Sequence, residues 1–244
     1  MVKKAPKSSG DYDAAYDAII DAIVTQKLAP SQKVSENVFT DMFGISRTTA
    51  RNIMERLTAQ QFLVSVSPRI TRVASLTLLD VKQNFALRKM LQPNIMAMAA
   101  PFIKADQLAK LNEAIHFKGS LTGERQALTL LKANKRFNLY VSEKLSYPLL
   151  LNWIEQLEDT TMRIYWLYMK MMDSLPFTWE HQRELVQAIE NDQSEEIIRI
   201  TNMILTLSEE RVLKAVFSHN HLITQDLTAP QEGGSIPQTT GFAQ

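Results

Sequence analysis

Apolar positions in the first third of the chain fall into short helical blocks divided by turn residues. Tyr16, Ile19, Ile20, Ile23 and Val24 repeat at the spacing of one buried helix face, and Leu28-Ala29-Pro30 ends that block. Glu36 to Phe43 reads as a second helix capped by Ser35. Gly44 can take the left-handed conformation that closes a helix, and Ser46 can cap the next by accepting a bond from a free backbone N–H. Ala50, Ile53, Met54 and Leu57 then form another apolar stripe, so Arg47, Thr48, Arg51, Asn52 and Glu55 must occupy the opposite face. A short sharp turn between two helices is what a helix-turn-helix requires. Past this helix the period changes. Phe62 to Val66 and Ile70 to Val73 are β-favouring, with Pro68-Arg69 as the turn between them. Helices followed by a hairpin predict a winged helix.

From Leu78 to about Leu222 the periodicity is helical throughout. Val81, Phe85, Leu87, Leu91 and Ile95 mark a helix over 80–100, and further helices fit 106–117, 124–145, 147–172, 177–190 and 194–218. The chain is therefore expected to be mainly α: a winged helix-turn-helix domain over 11–76, then an all-α helical bundle over 77–223. Residues 1–10 are expected to be flexible. Beyond Thr224 the sequence turns to Gln, Thr, Gly and Pro, which predicts a disordered tail over 224–244.

Composition narrows the function classes. A chain of 244 residues, 45% hydrophobic with only 7 Gly, can build a small domain and a larger one. It has no Cys, hence no disulfide framework, thiol nucleophile or Cys-ligated metal. There is no Gly-rich phosphate loop, no G-x-S-x-G and no H-E-x-x-H, so an enzyme of those classes would lack its parts. No signal-peptide stretch and no membrane span are visible, which predicts a soluble, cytoplasmic protein without membrane partners.

Net charge is only +1, yet it is unevenly placed. Between Gly44 and Val73 stand Arg47, Arg51, Arg56, Arg69 and Arg72 against the single acid Glu55, whereas Asp11 to Asp41 is acidic. A basic edge beside an acidic back orients a protein on a polyanion. Arg47 and Thr48 fall in the first turn of their helix, where free N–H groups and the helix dipole favour phosphate. Arg51 can present a planar fork to guanine or phosphate, Asn52 can bond adenine, and Arg69 and Arg72 on the wing can reach the backbone or minor groove.

These residues resemble the N-terminal DNA-binding domain of the GntR family of bacterial transcription regulators. The resemblance rests on Pro30, Ser35-Glu36, Gly44-Ile45-Ser46-Arg47, Ala50-Arg51-Asn52-Ile53-Met54 and Pro68-Arg69. It implies DNA contacts from Ser46, Arg47, Thr48 and Arg51, and from Arg69 near the wing. Ser31 stands where the family has Gly, Asn52 where it has Glu, and Ile70 where the wing-tip Gly would be. A β-branched residue does not adopt positive φ, so the wing turn must be built differently.

The later helices resemble the FadR-like branch of that family, with its FCD-type C-terminal domain. The landmarks are Arg88-Lys89-Met90-Leu91-Gln92-Pro93, Asn134-Lys135-Arg136-Phe137-Asn138 and Glu180-His181 ahead of Leu185. The resemblance implies a homodimer on palindromic double-stranded operator DNA, with a small organic acid as effector. Many members of the branch hold a divalent metal with one Asp and three His. The corresponding positions here are Asn134, Asn138, His181 and Met203, a set ill-suited to a divalent ion, so no metal or other cofactor is expected. Asn134, Asn138 and His181 can instead bond a polar effector directly, with Arg163 as the partner of its carboxylate. The aromatic and thioether run from Tyr165 to Met172 is expected to be core or dimer face, and His116, His219 and His221 surface. An effector-independent DNA-binding dimer is the competing reading.

Overall fold

The second and third helices of the reading unit open on serine caps. In α1 (Ser9–Val24), Tyr16, Ile19, Ile20, Ile23 and Val24 are all buried. The Ser35 side chain accepts from Val38 N–H to open α2 (Glu36–Phe43). Gly44 closes it at φ 65° and ψ 26°, its N–H donating to the Thr40 carbonyl. Ser46 Oγ accepts from Thr49 N–H at 3.0 Å and opens α3 (Arg47–Ala59), which buries Ala50, Ile53 and Leu57. The computed structural model describes residues 9–117, 121–219 and 227, and the chain divides into two compact units, Met1–Ser75 and Leu76–Gln244.

The wing is a three-stranded antiparallel sheet in the order β1 (Lys33–Val34), β3 (Ile70–Val73), β2 (Leu63–Ser67). β1 escaped the sequence reading because two residues are too few to show alternation. The missing wing-tip glycine is replaced by a bulge. Ser65 pairs with Thr71 and Ser67 with Ile70, leaving Val66 as the extra residue, and no residue from Leu63 to Val73 has positive φ. Proline at the first turn position presets a negative φ, and Ile70 sits in the strand instead of the turn. Ser31 does adopt the left-handed conformation of the glycine it replaces, at φ 62°. Its N–H donates to the Val73 carbonyl at 2.9 Å, which ties the first loop to the sheet.

The second unit is a bundle of α4 (Leu78–Ala99), α5 (Ala105–Glu113), α6 (Glu124–Glu143), α7 (Pro148–Met172), α8 (Trp179–Glu190) and α9 (Ser194–His219), with a 3-10 turn at Ala100–Phe102. A capping box opens α4: the Thr77 side chain accepts from Asp80 N–H while Asp80 accepts from Thr77 N–H. Val81, Phe85 and Ile95 of α4 are buried as expected, but Leu87 is exposed. α5 stops at Glu113 instead of Phe117. There Ile115 and His116 donate to carbonyls three residues back, the tighter turn that ends an α-helix. The core joins Met96 and Ala99 of α4, Leu108 of α5, Phe137 and Val141 of α6, Leu185 and Ile189 of α8, and Ile200 and Ile204 of α9. α7 packs on α6, α9 and α4. Residues 1–8 of the expected flexible N-terminus, the expected tail apart from Leu227, and the side chains of His219 and His221 lie outside the described residues. Leu227 is buried and donates its N–H to the Leu76 carbonyl.

Nothing lies within 4 Å of a Cβ built at Gly44, so glycine is required there by backbone angle and not by crowding. Gly44→Ala should lose about 1–2 kcal/mol, the cost of a left-handed L-residue, read from the midpoint of urea unfolding. An unchanged midpoint would show that the turn tolerates alanine.

Candidate nucleic-acid interface and buried cavity

Ser46, Arg47, Thr48, Arg51 and Asn52 are all exposed, on the face of α3 opposite its buried stripe. Ser46 is committed locally as the helix cap and lies 2.8 Å from Thr49 Oγ1. Arg51 Nε donates to Glu36 Oε1 at 2.8 Å, tying α3 to the first turn of α2. The hydrogen bond from Arg51, aided by the charges of Arg51 and Arg47, holds the Glu36 carboxyl below its ordinary range. A guanidinium that spends Nε in this way keeps its outer pair of Nη donors, the fork that matches guanine O6 and N7.

The basic residues divide by task. Arg56 lies 3.8 Å over the Tyr16 ring, and the Tyr16 hydroxyl donates to Gln60 at 2.6 Å, so Arg56 braces α3 on α1. Arg72 Nη1 donates to the Ser31 carbonyl at 2.6 Å and braces the first loop against β3. Arg69 stands exposed at the wing turn.

Inside the bundle five helices line a partly open cavity of about 20 Å³, room for a water molecule. Arg88 and Gln92 of α4, Asn134 and Asn138 of α6, Tyr165 of α7, Gln182 of α8 and Thr201 of α9 supply its polar wall. Asn134 and Asn138 thus share one wall. His181 and Arg163 do not line it. His181 Nδ1 sits 3.0 Å from Thr178 Oγ1 at the start of α8, and the next residue, Gln182, faces the cavity with Leu185. Successive helical residues diverge by about 100°, so a one-residue difference moves a side chain off the wall. Arg163 is buried in α7 away from the lining, and Met203 packs against the core. His116, expected at the surface, stacks on Trp179 with ring centroids 4.0 Å apart.

Of Asn134, Asn138, His181 and Met203, the two asparagines line the cavity and the other two do not, and two neutral amides, an imidazole and a thioether do not suit a divalent ion. Among the described residues no three His, Asp or Glu side chains are grouped to hold a metal.

Among the described residues, Arg88 is the one charged residue of the cavity lining. It donates from Nε to Gln92 Oε1 at 2.9 Å and from Nη1 to the Tyr165 hydroxyl at 3.2 Å, while Glu158 Oε1 stands 3.5 Å from Nη2. Gln92 in turn donates to Glu158 Oε1 at 3.0 Å. Beside this pair Lys135 Nζ meets Asp159 Oδ1 at 2.5 Å. Burial pushes the Glu158 carboxyl up from its ordinary 4.5, against the opposing pull of Arg88, the Asn138 side chain, Lys135 and Gln92. The sequence reading missed Arg88, Gln92, Gln182 and Thr201 as wall residues. The available signal was position: Arg88 and Gln92 follow Phe85 at helical spacing on its buried face.

Residues 11–73 match the gntR family of bacterial regulatory proteins and residues 83–207 match the FCD domain. This chain belongs to that class, the GntR-type DNA-binding transcription regulators with an FCD effector-binding domain, whose members are not enzymes. Among solved structures it is similar to E. coli McbR/YncC, with 16% identity, 90% of this chain and 100% of that chain covered, and a TM-score of 0.68. It is also similar to a GntR transcriptional regulator from Rhodococcus sp. RHA1, with 15% identity, 85% and 99% coverage and a TM-score of 0.63. Lar, described as controlling the Listeria monocytogenes agr system, shares 15% identity over 86% of this chain and 99% of its own, with a TM-score of 0.53. At these identities the likeness establishes the fold. Comparison with curated proteins gives no match. Among the described residues no helix is long and apolar enough to cross a membrane.

Because Glu158 holds its proton more tightly folded than unfolded, its contribution to stability is complete below pH 4.5 and is lost as pH rises through the raised folded value. Denaturant unfolding across a pH series should show wild type losing stability relative to Glu158→Gln as pH rises through that window. A difference constant with pH would contradict the assignment.

Proposed function

We propose that the chain is a homodimeric repressor whose operator affinity is set by a small carboxylate bound in the FCD cavity. The observation that carries the effector reading is the polar cavity whose wall, among the described residues, carries one charged side chain, Arg88, since a buried cation selects an anionic guest. On the DNA side, the supporting geometry is an α3 whose apolar stripe is buried and whose basic, hydroxylic face is exposed. Each protomer would lay α3 in a major groove, with Arg47, Thr48, Arg51 and Asn52 toward base edges and phosphates, Ser46 at its start, and Arg69 and Arg72 from the wing. Two-fold symmetry then demands a palindromic operator. Leu79, Met90 and Met98 lie exposed along α4, apolar area of the kind a second copy would cover. An effector acts by binding better to one arrangement of the dimer than another, shifting the population that grips the operator. Asn134, Asn138 and Arg88 would hold it directly, without a metal. The site of action would be the cytoplasm, where the operator is.

One observation favours an effector-independent dimer instead. A cavity of about 20 Å³ is smaller than most metabolites, so an effector must widen it. Thermal stabilisation by a carboxylate separates the readings, because a ligand specific for the folded state raises the melting temperature.

Selection from random duplexes at two salt concentrations should enrich a short palindrome, with affinity falling steeply as salt rises. Arg51→Ala should weaken that operator by about 1–3 kcal/mol and relax selection at one position of each half-site. Unchanged affinity in that variant would remove Arg51 from the base contacts. Elemental analysis of purified protein should find no stoichiometric zinc, nickel or manganese, and one metal per chain would refute the metal-free effector site.

A further inference from the structure

Arg88 and Glu158 form an unsaturated pair. A guanidinium carries five N–H donors, and among the described residues Arg88 has only Gln92 and Tyr165 at hydrogen-bond distance. Its carboxylate contact is 3.5 Å, longer than the roughly 2.7–2.9 Å of a charge-assisted bond. Glu158 is 1% exposed, and its Oε2 atom is buried without a hydrogen-bond partner. Leaving both a buried cation and a buried anion short of partners is expensive. Around them, the Asn138 side chain hydrogen-bonds Glu158, Lys135 of α6 is held by Asp159, and α8 and α9 contribute neutral polar groups, Gln182 and Thr201, to the cavity.

Arg88 lines the cavity, and Glu158 is not part of its wall. We propose that Glu158 is an internal rival of the ligand: an anionic group entering the cavity takes over Arg88, and Glu158 sets the affinity by competing for the same guanidinium. The inference rests on the reading of this cavity as the effector site. A free carboxylate can meet both Nη donors side by side, a geometry that Glu158, reaching one of them at 3.5 Å from α7, does not achieve. Where Glu158 is ionised, its charge also repels the guest at short range in a poorly screened interior. Exchange of partners would loosen the α4 to α7 tie made through Arg88, Gln92 and Glu158, giving ligand binding a mechanical consequence within the bundle.

The test uses the full-length protein with sodium formate and sodium acetate, the small carboxylates that need widen the cavity least, titrated calorimetrically at constant ionic strength against chloride and across a pH series that ionises Glu158. Inorganic phosphate is the second probe. Glu158→Gln keeps the bond from Gln92 and removes the charge, and should tighten acetate by about tenfold or more, as expected for loss of a like charge a few ångströms away. Arg88→Gln should abolish binding. Lys110→Ala, on the exposed face of α5, is the control and should bind as wild type does. Should Arg88→Gln fail to fold, the Glu158→Gln comparison decides alone. Equal or weaker acetate binding by Glu158→Gln overturns the rivalry while leaving the effector site standing. Absence of binding by formate, acetate and phosphate in both wild type and Glu158→Gln overturns site and rivalry together, and a tightening matched by chloride overturns the rivalry as nonspecific. Preferential tightening of phosphate supports the exchange and assigns a phosphorylated guest.

Discussion

Burying Ala50, Ile53 and Leu57 of α3 leaves that helix no choice about its other face, and the regulator's DNA-reading surface follows from this constraint. The buried stripe belongs to a unit that also buries Phe39 of α2 and seven apolar side chains of α1. Once it is in place, Arg47, Thr48, Arg51 and Asn52 must point outward. The surrounding contacts refine that result. Arg56 over Tyr16 steadies α3, and Glu36 holds the inner edge of Arg51 so that its outer donors stay presented. A surface ion pair of this kind adds little stability, so its consequence is orientation.

The same constraint produces a different outcome in the bundle. The buried face of α6 carries Asn134 and Asn138 among Leu130, Phe137 and Val141, and α4 carries Arg88 and Gln92 beside Phe85 and Met96. Polar groups placed on faces that must be buried cannot all pack like hydrocarbon, and they need partners. Some find them, as Lys135 finds Asp159. Others border a small polar cavity at the meeting of five helices, and Glu158 Oε2 finds none. A purely apolar centre would be simpler to stabilise, so a partly satisfied polar one is the natural place to seek a ligand.

Loop conformation shows how far this sequence departs from its family's pattern without losing the architecture. Ser31 adopts the left-handed angle of the glycine it replaces, and its carbonyl is held by Arg72. At the wing the opposite solution appears: no residue takes positive φ, and the bulge at Val66 supplies the bend. Ile70 and Ser31 are thus accommodated by different physics, one by displacing the irregularity along the strand and the other by bonding a strained backbone in place.

Local signals were enough for the parts of the fold that local physics decides. Gly44, Ser46, Ser35 and the stripes of α1 and α3 act within a few residues of themselves, so the helix-turn-helix, its caps and its outward face were readable from the amino-acid order alone. The helical bundle was readable for the same reason, since its helices declare their period. β1 was not, because two residues gain strand identity only by pairing with β3. Nor was the cavity wall. His181 and Gln182 are neighbours in sequence, but which of them faces inward is set by how α8 rotates against α9 and its other neighbours, and a rotation of one residue exchanges an imidazole for an amide. The pairing of Arg88 with Glu158, 70 positions later in sequence, likewise exists only because α4 packs against α7. Sequence determined what each helix must bury, while the buried chemistry emerged only when the helices chose their partners, because a side chain's surroundings in a core belong to the neighbouring elements and not to its own.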